Sequence, residues 1–154
     1  MSRFRLSVVG VVGGLALLLW ASAAHADGVY HSQHYALSSV DGASLRSGFV
    51  ENIHADGPNV YAHENYVVNG AAPNTSYQVM LSIWIPNQSC SGDPDLQIPT
   101  AVVETNGAGD GKAQHVFTPE DADGLRGLTV SAIWVLWADD SPAYATGCEV
   151  VTLD

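Results

Sequence analysis

The chain of 154 residues is 47% hydrophobic and only 14% charged, which gives it enough apolar mass for a packed core and excludes an intrinsically disordered polyelectrolyte. Its 16 acidic side chains face five basic ones, for a formal charge of −11. A field of that sign repels phosphate, so nucleic acid and anionic lipid surfaces are excluded as partners, while cations are attracted.

The first element is a leader. Arg3 and Arg5 precede an uncharged run from Leu6 to Trp20, and Ala24-His25-Ala26 has the small-x-small pattern of a signal-peptidase site. The run is short for a membrane span, so residues 1–26 are expected to be a cleaved signal peptide and residues 27–154 a single exported domain. After cleavage no membrane span remains. Only Arg46, Lys112 and Arg126 then stand against all 16 acids, a formal charge of −13.

Beyond the leader the hydrophobic pattern has a period of two. Strands are predicted at Val29–Leu37, Leu45–Ile53 and Asn59–Val68. The next begins at Tyr77, with Tyr77, Val79, Leu81, Ile83 and Ile85 on one face and Gln78, Met80, Ser82 and Trp84 on the other, until Pro86 removes a backbone donor. Ile98–Thr105 and Lys112–Phe117 flank a glycine-rich hairpin connection. Thr118-Pro119-Glu120-Asp121 carries the signals of a helix start, and Gly124 limits it to one turn. Leu128–Ala138 is apolar on both faces, as a buried central strand is, and Ala143–Leu153 is a final strand carrying Cys148. The fold expected is all-β: an antiparallel β-sandwich, immunoglobulin-like or Greek-key, of about eight strands with one short helical turn.

The stretch from Val68 to Val79, VNGAAPNTSYQV, resembles the corner of fibronectin type III and related immunoglobulin-like domains. That resemblance implies a tyrosine corner, with the Tyr77 hydroxyl bonded back to backbone near the turn. The chain departs from the family in placing at least three strands after the corner and Cys90 in a loop. The two cysteines of an exported chain read as one disulfide, Cys90–Cys148, because their spacing matches no redox or metal motif.

Chemistry-bearing residues are sparse. Of the histidines, His54 and His63 across a short turn form the best candidate pair for copper or zinc, with His34 as the third ligand. The acidic loops around Asp93, Asp110 and Asp121 lack the alternating oxygen ligands of a calcium loop. Glu51 and Glu64 are the carboxylates available for a glycosidase-like pair, although alternating acids on a strand ordinarily form its solvated face. No G-x-S-x-G motif presents a nucleophile. Trp84 lies opposite the principal apolar face of its strand, and Trp134 and Trp137 lie on opposite faces of theirs. Trp84 and Trp137 are the rings offered to a sugar or protein partner, unless the Cys90 loop folds over Trp84.

The sequence thus reads as a secreted, non-enzymatic β-sandwich acting as a surface binding or interaction module of the extracellular or envelope space, without a cofactor. The alternative is a small exported enzyme, either metal-binding through histidines or carboxylate-based.

Overall fold

A computed structural model describes residues 31–54, 62–86 and 89–153. The expected leader at 1–26 and the turn at 55–61 between the second and third predicted strands lie outside the described residues.

Among those residues the chain forms ten strands in two antiparallel sheets, an all-β sandwich. The four-stranded sheet runs β1 (His31–Ala36), β3 (Ser47–His54), β4 (Ala62–Asn69) and β7 (Gly111–Phe117). The second sheet runs β2 (Ser38–Ser39), β9 (Ser141–Ala145), β8 (Thr129–Ala138), β5 (Ser76–Trp84) and β6 (Leu96–Glu104). β10 (Glu149–Thr152) pairs with the first half of β8. The chain crosses between layers at the links β1–β2, β2–β3, β4–β5, β6–β7 and β7–β8. β4 and β7 are neighbours in one sheet while β5 and β8 are neighbours in the other.

Alternation decides what enters the gap between the layers. Val50, Tyr66, Val68, Tyr77, Val79, Val103, Trp134, Leu136 and Tyr144 are all fully enclosed there. Burying each valine or leucine among them contributes about 1.5–3 kcal/mol. Trp134 from β8 stacks on Tyr35 from β1 across the gap, with ring centroids 5.1 Å apart.

The corner between β4 and β5 is clamped from several sides. The Ala71 N–H donates to Gly109 O at 3.0 Å, and the Ala72 N–H donates to the Tyr77 hydroxyl at 3.2 Å. That hydroxyl lies 3.3 Å from the Tyr144 hydroxyl, which itself donates to Ser44 O at 2.7 Å. Gly109 has φ +79°, and a Cβ there would come within 2.1 Å of Ala71 O. Only glycine fits so close an approach.

Two differences from the sequence reading have local causes. The final strand, expected as Ala143–Leu153, is two strands, because the chain leaves β8 after Ala145 and rejoins it at Glu149. Cys148 therefore sits in the connection rather than on a strand. β2 was missed because two serines at Ser38–Ser39 carry no apolar periodicity. The expected helical turn is present as a 3₁₀ turn at Pro119–Ala122, where the Thr118 N–H donates to Asp121 Oδ2 at 2.7 Å.

Candidate functional site

The outer face of the six-stranded sheet is where aromatic and polar side chains meet. Alternation turns Gln78, Met80, Ser82 and Trp84 of β5 outward, opposite Trp137, Val135, Ile133 and Ser131 of β8. β6 continues this face with Gln97 opposite Ser82 and Pro99 opposite Met80. The two halves of the face differ.

At one end the face is covered. The Trp84 indole N–H donates to Gly92 O at 3.2 Å, and the Cys90–Cys148 disulfide ties that loop to the β9–β10 connection. Trp84 is 6% exposed and Ser131 fully buried. Trp84 therefore has no free ring face for a ligand, which corrects its assignment to a binding surface: the loop, not the strand parity, decides its exposure.

At the other end the face is open. A groove of about 710 Å³ is lined by Ser76, Gln78, Met80, Gln97, Trp137, Asp139 and Asp140. Trp137 is half-buried on its floor. The Gln78 amide N–H groups are held by Ala101 O at 3.0 Å and Val79 O at 3.2 Å, which fixes the side chain in place. Asp139 and Asp140 form the two-residue turn from β8 to β9, with φ of 45° and 62°. Two left-handed residues in succession suit the tight hairpin that brings both carboxylates to the rim. The groove thus combines an indole, a thioether, amide oxygens and carboxylates, and its lining includes no cation.

The three candidate metal ligands are not brought together. Ile53, not His54, pairs with His63 across β3 and β4, so His54 points into the sandwich while His63 points out of it. His34 also lies on the outer face, where its Nε2–H donates to Glu51 Oε1 at 3.0 Å and its ring stacks on Phe49. A one-residue register offset reverses the face of a side chain. No group of three or more His, Cys, Asp or Glu side chains among the described residues is arranged to hold a metal ion.

Glu51 accepts hydrogen bonds from Asn65 Nδ2 at 2.9 Å, His34 and Ser32. The Asn65 bond, then that of His34, holds its carboxyl below the ordinary range. Glu64 lies on the opposite face of the same sheet, so the two carboxylates do not form a catalytic pair.

Glu64 is also not on a solvated face. It is 1% exposed, on the inner row of β4 with Tyr66 and Val68. Its Oε1 accepts from the Trp134 indole N–H at 3.0 Å, and its Oε2 is hydrogen-bonded to the Tyr66 hydroxyl. Burial pushes its carboxyl up to about 7, against the lowering effect of those two bonds. Beside it a cavity of about 50 Å³ is lined by Asn52, His54 and otherwise mostly apolar side chains. The signal in the sequence for an inward carboxyl is parity: Glu64 is in step with Tyr66 and Val68, whereas the alternate row holds His63, Asn65 and Val67.

Compared with protein-family models, curated proteins and solved structures, the chain matches none. No helix among the described residues is long and apolar enough to cross a membrane.

Proposed function

We propose that the protein is an exported, non-enzymatic binding module that takes a neutral glycan chain along the open half of its six-stranded sheet. The observation that carries this is Trp137 on the floor of an open groove rimmed by amide oxygens and carboxylates. A pyranose ring offers C–H groups to an indole face and hydroxyl donors to fixed acceptors, which is the chemistry this lining complements. The acidic surface argues against anionic polymers, since their charge is unmatched by any cation in the groove. Export is supported by the leader-like N-terminus and by a disulfide, a bond that persists in oxidising compartments. An immunoglobulin-like ancestry is supported by the interlocked pairs β4–β7 and β5–β8, flanked by β9 and β6.

The test is calorimetric titration with a panel of neutral oligosaccharides, β-glucan and α-glucan included, on the wild-type protein and Trp137→Ala. Loss of a stacked indole is expected to weaken binding about tenfold or more while leaving the thermal midpoint nearly unchanged, because Trp137 lies outside the inter-sheet core. Equal affinity in the variant, or no heat with any neutral glycan, overturns the reading.

A further inference from the structure

The inter-sheet gap holds a polar chain that the outer binding face does not use. Glu64 and Tyr66 project from β4, while their partners Trp134 and Thr100 belong to the opposite sheet. Thr100 is the extra residue of a register shift in β6, and its Oγ1 lies 2.7 Å from the Tyr66 hydroxyl. These are therefore side-chain hydrogen bonds tying one layer to the other. They lie where a carboxylate has lost its hydration.

The chemistry of the chain depends on one proton. The Tyr66 hydroxyl has a single hydrogen but two neighbours, Glu64 Oε2 and Thr100 Oγ1. With Glu64 ionised, Thr100 donates to Tyr66 and Tyr66 donates to the carboxylate. With Glu64 protonated, the direction reverses: the carboxyl donates to Tyr66 and Tyr66 donates to Thr100. The Trp134 indole N–H is satisfied by Oε1 in both states. Asn52, directly opposite Glu64 in register, adds an Oδ1 that is buried without a hydrogen-bond partner among the described residues. Both residues line the same small cavity, where the partial negative charge of an amide oxygen disfavours an ionised carboxylate.

We propose that Glu64 is the proton-binding site of a pH-responsive sandwich, whose two layers are tied most firmly when one proton occupies the Glu64–Tyr66–Thr100 chain. Among the described residues the other titratable groups around it are Tyr35 on β1, His54 on β3, His115 opposite Glu64 on β7, Asp121 at the cavity and Glu149 on β10. Of these, a positive charge on His54 or His115 would oppose the effect, and a negative charge on Asp121 or Glu149 would act in the same direction as burial. The sign follows from burial. A carboxyl whose folded value lies above its unfolded one contributes stability that is complete in acid and is lost as pH rises through the folded value. Burial raises Glu64 from 4.5 to about 7, so the loss is spread over that window.

Thermal unfolding followed by circular dichroism from pH 4.5 to 8.5 tests this on the full exported chain and on Glu64→Gln. The amide is a permanent copy of the protonated state: its oxygen accepts from Trp134 and its NH₂ donates to Tyr66. The variant is expected to match the wild type in acid, to exceed it increasingly as pH rises from about 4.5 to about 7, and to keep a constant advantage above that. The difference should reach roughly a hundredfold in the folding equilibrium constant. The second readout is the Trp134 indole N–H resonance of the wild-type protein, expected to titrate with a midpoint near neutrality and to be flat in the variant. Superimposable midpoints for the two proteins across the range overturn the proposal. So does a Trp134 resonance that titrates only below pH 5, a result that needs no variant to fold.

Discussion

Removing the Cys90–Cys148 bridge tests how the covered half of the outer face is held. The two cysteines are 58 positions apart and their Cα atoms are 5.8 Å apart. Opening a loop of that size raises the entropy of the unfolded chain and costs about 4 kcal/mol of stability in the chain-entropy model. For a domain of this length the loss translates into a fall in thermal midpoint of about 15 °C. The structure adds a second, local consequence. The bridge holds the loop whose Gly92 O accepts from the Trp84 indole, so its loss frees that cover. The variant Cys90→Ser/Cys148→Ser, unfolded thermally with circular dichroism, reads the first effect. Hydrogen exchange of the Trp84 indole N–H reads the second, and is expected to accelerate well before global unfolding. A midpoint lowered by less than about 3 °C refutes the loop-closure argument at this site. Unchanged protection of the indole refutes the view that the bridge, rather than the loop's own packing, keeps Trp84 covered.

Two further substitutions probe the corner between β4 and β5. Gly109→Ala places a Cβ against Ala71 O in a left-handed backbone, and is expected to destabilise the domain by about 3 kcal/mol or more, read as a chemical-denaturation midpoint. Tyr77→Phe keeps the buried ring but leaves the Ala72 N–H without its acceptor and the Tyr144 hydroxyl without its neighbour. Its expected cost is about 1–2 kcal/mol by the same measurement, and a neutral result shows that water replaces the phenol at the corner.

Period-two alternation, turn residues and the proline and glycine breaks made the all-β layering legible before any coordinates, because each is a local property of the backbone. β5 is the plainest case: its inner residues Tyr77, Val79, Leu81 and Ile83 are all buried. The same alternation already set Glu64 in step with Tyr66 and Val68. Charge alone made it look like a surface residue, and only the opposite sheet, bringing Trp134 and closing over it, makes it an interior acid. Register between strands is equally non-local. It places His54 inside and His63 outside, separating ligands that appear adjacent when read along the chain. The sequence determined that Trp84 leaves the core face of its strand and that Trp134 and Trp137 part to opposite faces of theirs, and the facing sheet then took Trp134 inward. Which of Trp84 and Trp137 meets solvent was decided by a loop held through a bond to a distant connection, because exposure depends on what packs above a side chain and not on the strand that carries it.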